Sequence, residues 1–354
     1  METGVQVFFQ SIPGMNDYEV LTAELAVALR AEELGFDYLL SPEHHFVDYS
    51  IAPDPLQFLT YVAAKTRRIG LVTGAVILPW NDPMRVAEKA SLLDFMSDGR
   101  LILGFGRGLA RVEYEKFGIP MGEARGRFDE AAPMIVDALR TGSMSGPGPF
   151  YPHDKTPIRP TPQRSFDGRI VSVAKSDESA VAAAEIGAGL MFIVQKPIED
   201  HMPMVELYRR RYEDVHEKPA PPPWLIDFCY VHEDADEAQR VAHEYMQRYY
   251  VTVLNHYEYG GSHLAATKGY ESYAAGAKRV QELGIEESAR QFVAINNFGT
   301  PEQVTERVRQ RREVVGDYVA LFGVSFGGLE YDRVHASCTL LGEQVLPAVK
   351  AMGA

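Results

Sequence analysis

The sequence predicts an α/β fold, a (β/α)8 barrel of the TIM type with a late insertion, and three observations carry the prediction. Short β-rich runs alternate regularly with longer helical patterns. Each helical pattern has its own start signal, so the alternation is punctuated rather than diffuse. The strand candidates come to eight, which is the count of a closed parallel barrel with right-handed crossovers. At 354 residues the chain is long enough for one large barrel with excursions, read here as one unit over 1–354.

Taken in order, Val5–Phe9 reads as the first strand. Asn16 then caps a helix, with Glu19 three residues on, Leu21, Leu25, Ala28 and Leu29 on one face, and Gly35 as the stop. Asp37–Leu40 is the second strand, Asp54 caps a helix from Pro55, and Ile69–Thr73 is the third strand. Asp82-Pro83 opens the next helix with its N-cap and N1 preferences satisfied, and Leu101–Phe105 is the fourth strand. The Pro/Gly-rich stretch from Gly142 to Gln163 is too rich in breakers for a core element and reads as a surface excursion. Further strands are expected at Ile170–Val173, Leu190–Val194, Leu225–Tyr230 and Tyr318–Phe322. The helices between them start near Asp177, near Ile198 and at Thr300-Pro301, where Gln303 completes a capping box, and a last helix is expected over Leu340–Lys350. Between Asn255 and Phe298 a polar stretch with Gly260-Gly261, Gly269 and Gly276 interrupts the rhythm and reads as an insertion, either a lid or a helical or disordered excursion.

Composition narrows the function. A formal charge of -14 excludes a broad surface for nucleic acid or anionic membrane, so any anion must be held locally. Cys229 and Cys338 are too few for a disulfide framework or a thiolate metal site. With no basic, apolar leader in Met1–Gly14 and no membrane-length apolar run, the expected location is the cytoplasm.

Barrel chemistry sits on loops after the C-terminal ends of the strands. There the second strand delivers Glu43, His44 and His45, the third Gly74-Ala75, the fourth Gly104–Gly108 with Arg107, the fifth Lys175-Ser176 and the sixth Gln195. A carboxylate beside two imidazoles can cap, perform acid/base work or bind a metal. No further His, Cys or acidic residue stands at recognised ligand spacing, so no metal is expected. The run Gly104–Gly108 fails the dinucleotide fingerprint, leaving a tight strand exit where Arg107 is either a phosphate cation or solvated. Ser176–Ser179 opens a helix and can cap it or hold an anion, with the loop Gly323–Gly328 as a competing phosphate site. Arg125, read alone, is a surface ion-pairing residue.

An ordered series of segments resembles bacterial luciferase and related flavin-dependent monooxygenases. It comprises Leu34–Asp37 leading into Glu43-His44-His45-Phe46, then Thr73–Pro79, Pro83-Met84-Arg85 with Glu88, and Leu93-Asp94 with Ser97–Arg100. Gly106-Arg107-Gly108 with Phe117-Gly118, and Gly299–Glu302, complete it. The resemblance implies reduced FMN, supplied by a separate reductase, reacting with O2 to a flavin hydroperoxide that oxidises a small organic substrate. It implies His44 as the catalytic acid/base and Glu43 lining the flavin pocket. Ala75 would lie beneath the isoalloxazine, and Arg107, Arg125, Ser176 and Ser179 would hold the FMN phosphate. It further implies a dimer, homo- or heteromeric, packed through early helices with Glu88 at the interface.

Two departures stand out. Gly106 replaces the reactive cysteine of luciferase, and Lys175 replaces a glutamate beside the phosphate, adding positive charge there. Two rivals keep the fold: a deazaflavin-dependent hydride-transfer enzyme, and a non-catalytic scaffold subunit. Phe8, Phe46 and Phe105 are expected to line an apolar pocket. His45 is expected to support its neighbours.

Overall fold

In the computed structural model, which describes residues 1–259, 261, 263–267 and 270–353, parallel strands close into a barrel. The barrel strands are β1 (Thr3–Gln6), β2 (Tyr38–Ser41), β3 (Gly70–Thr73), β4 (Leu101–Gly106), β5 (Ile170–Val173), β6 (Gly189–Ile193), β7 (Trp224–Val231) and β8 (Val319–Gly323). They pair in sequence order, and β8 closes on β1 in parallel, with Val5 opposite Phe322. Each expected strand lies within a few residues of its place.

The pleat decides what each strand residue does. Side chains that point inward from β2 to β8, among them Leu40, Val72, Ile102, Val171, Met191, Trp224, Ile226 and Leu321, fill the lumen as one apolar cluster. Their neighbours face the helices and join the larger core between barrel and helix ring. The lumen is therefore a packed core, and the chemistry is confined to the strand exits.

The caps form as read. Asn16 and Thr300 both make complete capping boxes, Asp54 and Asp82 accept the N3 amide of their helices, and Gly35 ends its helix in the left-handed region at φ 85°. The final helix begins earlier than expected, at Tyr331, and continues through a wide turn at Leu341–Val345 to Ala351. The excursion after residue 142 is more ordered than its composition suggests. Strands Ser143–Gly146 and His153–Pro157 form an antiparallel hairpin, with Met144, Tyr151 and Ile158 buried beneath it. Breakers set the turn, while these apolar side chains anchor it.

Two short strands sit beside the barrel: Val76–Ile77 on β4 and Asn297–Gly299 on β7. The insertion lies between β7 and β8. It leaves the helix Ala235–His256 and, among the described residues, is helical over His263–Ala266, Glu271–Leu283 and Ile285–Ile295. Gly260 and Gly269 lie outside the described residues.

Gly104 shows why the fourth strand is glycine-rich. A Cβ there would stand 1.9 Å from the Thr73 carbonyl oxygen, and the Thr73 hydroxyl both donates to the Gly104 carbonyl (3.0 Å) and accepts from its amide (2.7 Å). The missing side chain serves the close approach of β3 and β4, not a ligand. Gly104→Ala should destabilise the chain by roughly 3 kcal/mol in urea unfolding, because the neighbouring atom is backbone and cannot yield.

His201, on the helix Ile198–His216, stacks on Phe192 with ring centroids 4.8 Å apart and leaves Nε2 buried without a partner among the described residues. Burial, aided by the positive charges of Lys196, Lys175 and Arg311, pushes its pKa down to about 3. An unfolded histidine takes up its proton near pH 6.5, so stability must fall as pH drops from there toward 3. In denaturant titrations at successive pH values His201→Phe should make that fall shallower; an unchanged slope contradicts the assignment.

Candidate active site

The C-terminal mouth of the barrel holds two connected clusters. The first is built on the exit of β2. Glu43 is 4% exposed, and its carboxylate accepts from the Trp80 indole (2.6 Å), the Asn81 side-chain amide (2.9 Å) and the Ile77 backbone N–H (3.0 Å), with His45 Nε2 at 3.2 Å. Glu43 thus ties the exit of β3 to that of β2, beside the cis Gly74–Ala75 peptide. Ala75 is buried next to Gly106, where an added Cβ would stand 3.0 Å from the Ala75 Cβ.

His44 has a different partner. Its Nδ1 lies 3.1 Å from Glu113 Oε1, and the same oxygen accepts the His45 backbone N–H at 2.8 Å. Glu113 sits in the first turn of the short helix Arg111–Phe117, which follows the exit of β4. Burial works against its charge, but His44, His256 and the His45 amide outweigh it and hold the carboxyl below its ordinary pKa. An ionised Glu113 can only accept, so His44 must carry a hydrogen on Nδ1, which leaves Nε2 as the atom free for chemistry.

Around His44 stand rings from several segments. Tyr49 packs edge-on at 4.9 Å and His256 at 5.2 Å between centroids, and Phe8 lies behind them at 6.3 Å. His256 in turn stacks on Tyr49 at 4.2 Å, and the Tyr49 and Tyr249 hydroxyls are 2.9 Å apart. Of the aromatics expected to line the pocket only Phe8 stands here. Phe105 points out of the barrel into the helix-facing core and is fully buried, because the inward positions of its strand are Ile102, Gly104 and Gly106. Phe46 is 58% exposed and packs on Phe117 and His45 at the rim.

The second cluster is cationic. Arg107 stacks its guanidinium over the Tyr270 ring at 4.3 Å, and its Nη1 is buried without a partner among the described residues. Arg125 donates through Nη2 to Glu178 and to the Ser179 hydroxyl (3.2 Å each), while its Nε is likewise buried and unpartnered. Ser176 caps the helix Asp177–Glu185, and its hydroxyl lies 3.0 Å from that of Ser179. Lys175 keeps part of its side chain at the surface, while Nζ donates to the Tyr259 hydroxyl (2.8 Å) and lies 4.4 Å from the Tyr273 ring centre, and the loss of water around the ammonium lowers its pKa. Unused guanidinium donors beside a helix N-terminus fit an anion of phosphate size. The competing loop does not: the Gly327 amide is donated to Gln10, and the Tyr245 carbonyl occupies the space beside it.

The clusters are linked. Trp80, held by Glu43, packs edge-on against Tyr114 at 5.0 Å, and the Tyr114 hydroxyl donates to the Arg107 carbonyl. The insertion covers this join, with Leu264 and Tyr270 buried against Tyr114 and Arg111 paired to Glu258. Sequence reasoning assigned no role to Glu113, His256, Tyr114 or Tyr270. The position of Glu113, in the first turn after a strand exit, was the signal available for it.

A family profile described as luciferase-like monooxygenase matches residues 1–318. The chain belongs to the luciferase-like monooxygenase family. Membership makes it a flavoprotein and an oxidoreductase of the monooxygenase type. It is similar to the alkanal monooxygenase alpha chain of Photobacterium leiognathi, at 25% identity over 96% of each chain. It is also similar to the oxygenase component of the flavin-dependent trigonelline monooxygenase of Acinetobacter baylyi, at 25% over 90% of this chain and 87% of that one. Among solved structures it resembles the monooxygenase RslO1 of Streptomyces bottropensis, at 28% identity and a TM-score of 0.79 over 98% and 99% of the two chains. At lower identity the same barrel occurs in an FMN complex of 3,6-diketocamphane monooxygenase from Pseudomonas putida (18%, TM-score 0.77, 98% of each chain). It occurs also in an F420-dependent secondary alcohol dehydrogenase (16%, TM-score 0.73, 98% of each chain), so the barrel serves both coenzyme types.

Proposed function

We propose that this chain is the oxygenase of a two-component system, taking reduced FMN from a separate reductase and using O2 to place one oxygen atom in a small organic substrate while the other leaves as water. The observation that carries the reading is the pairing of a cationic corner, with unused donors buried on Arg107 and Arg125, with a carboxylate-held imidazole at the same barrel mouth. Bound there, reduced FMN would supply the electrons that activate O2. Arg107 and Arg125 would hold its phosphate, with Ser176 and Ser179 completing the cradle and Lys175 adding charge nearby. Ala75 and Glu43 would stand at the ring end, Glu43 as the tie that fixes the exits of β2 and β3.

His44 is the proposed catalytic residue. With Nδ1–H held by Glu113, its Nε2 is left to take or give a proton beside the reacting groups. The insertion supplies the water exclusion that reactive oxygen chemistry needs. The alkanal and trigonelline monooxygenases support FMN and O2, and a cationic corner of this kind would accept a deazaflavin phosphate equally well. Incubation of the purified chain with a flavin reductase, FMN, NADH, O2 and a substrate panel tests the reading. Oxygenated product sinks the deazaflavin alternative, whereas hydride transfer from reduced deazaflavin under nitrogen, with no oxygenation by FMN, sinks this one.

Dimerisation through early helices is part of the proposal. Tyr18, Leu21, Tyr61, Leu92, Phe95 and Met96 are exposed on the helices Asp17–Leu34, Pro55–Lys65 and Pro83–Met96, an apolar face that a second subunit would cover. No helix among the described residues is long and apolar enough to cross a membrane.

His44→Ala should abolish turnover while FMN still binds, and Glu113→Gln should lower turnover at least about tenfold with little change in FMN affinity; near-normal rates in steady-state assays contradict both. Arg107→Ala and Arg125→Ala should each weaken FMN binding by about ten- to a hundredfold in fluorescence titration, the worth of one charge-assisted hydrogen bond. Lys175→Ala should weaken it by less, because its ammonium is engaged with Tyr259 and Tyr273.

A further inference from the structure

We propose that His44, Glu113 and His256 form a binding site for one divalent cation of the zinc class. Each offers one ligand atom, and these atoms all lie within 4.8 Å of one another. His44 Nδ1 and Glu113 Oε1 are 3.1 Å apart, close to the separation of two atoms that share a zinc ion at about 2.0–2.1 Å each. His256 completes the set within the same 4.8 Å. Its Nε2 is buried with no hydrogen-bond partner among the described residues, in a residue 8% exposed. An unpaired imidazole nitrogen at such depth forfeits a hydrogen bond that a cation would replace.

The donor set selects the ion. Two imidazoles and one carboxylate suit zinc and its first-row neighbours, while calcium and magnesium want an all-oxygen cage. Three protein ligands leave a fourth position for water, as in open rather than purely structural zinc sites. The surrounding rings hold the ligands: Tyr49 stacks under His256 with planes 11° apart, and Tyr257 packs on its edge at 4.5 Å. The ligands come from the exit of β2, from the helix after β4 and from the last turn of Ala235–His256 where the insertion begins. A bound ion would therefore staple the root of the insertion across the barrel mouth.

One consequence rests on the proposed function: an ion here takes the His44–Glu113 pair, so metal binding and oxygenation exclude each other. The binding itself does not depend on that reading. The test uses the metal-stripped, flavin-free full-length chain, titrated with Co2+ by visible absorption and with Zn2+ in competition. One ion per chain is expected, not displaced by Mg2+, with affinity reduced roughly tenfold or more in His256→Gln and in Glu113→Gln. His243→Gln, a histidine outside the cluster, should match the unsubstituted chain. Unchanged affinity in His256→Gln and Glu113→Gln, or no saturable binding, overturns the proposal. Contact-shifted imidazole resonances of His44 and His256 in the Co2+-loaded, unsubstituted chain read the ligands directly should either variant fail to fold, and their absence also overturns it. If Zn2+ binds as expected yet leaves FMN-dependent oxygenation untouched, the site stands and the catalytic reading falls.

Discussion

The arrangement of the barrel mouth depends on one buried carboxylate. Glu113 reaches from the helix after β4 to the exit of β2, where a single oxygen meets both the His44 ring and the His45 backbone amide. A carboxylate this deep stays ionised only because those partners compensate its lost hydration. In return it fixes the orientation and tautomer of His44, and it pins the backbone of the loop that carries both histidines. Glu43 does the matching work next door, spending its lone pairs on Trp80, Asn81, Ile77 and His45. Between them the two acids make a rigid floor out of three strand exits.

The second half of the mouth depends on the insertion. Tyr270 covers Arg107, Tyr259 takes the ammonium of Lys175, and Glu258 pairs with Arg111 on the same short helix that carries Glu113. The insertion thus touches both the cationic corner and the support of His44. Aromatic faces over guanidinium and ammonium groups hold these charges without consuming all their donors, which is why Arg107 keeps a buried nitrogen unpaired. A phosphate bound there would meet a corner that is already positive.

Local rules carried most of the architecture in the sequence. Capping residues such as Asn16, Asp82 and Thr300 act within a few residues of themselves, so their helices could be placed from pattern alone. Strand order followed from the alternation. Facing was harder: Phe105 was expected in the pocket, but strand parity turns it outward, and a one-residue misjudgement of register reverses every side chain. The site was half legible. His44, Glu43, Arg107 and Lys175 stand at strand exits, where the fold predicts chemistry, and Arg125 opens the helix Ala124–Thr141. Their partners do not announce themselves, because Glu113 meets His44 across 69 residues of chain and His256 belongs to an insertion with no regular beat. The absence of ligand spacing around His44 was a fact about neighbours in sequence, and folding supplied neighbours in space.

Glu113 holds His44 with its hydrogen on Nδ1, which leaves Nε2 unclaimed by that carboxylate. The most direct measurement is the tautomer of His44, read from long-range 1H–15N correlation spectra of the 15N-labelled chain, with His44→Gln for assignment. At neutral pH a protonated Nδ1 is expected in the unsubstituted chain, with that preference lost in Glu113→Gln. A His44 ring that carries its proton on Nε2 alone, or one indifferent to Glu113→Gln, would contradict it.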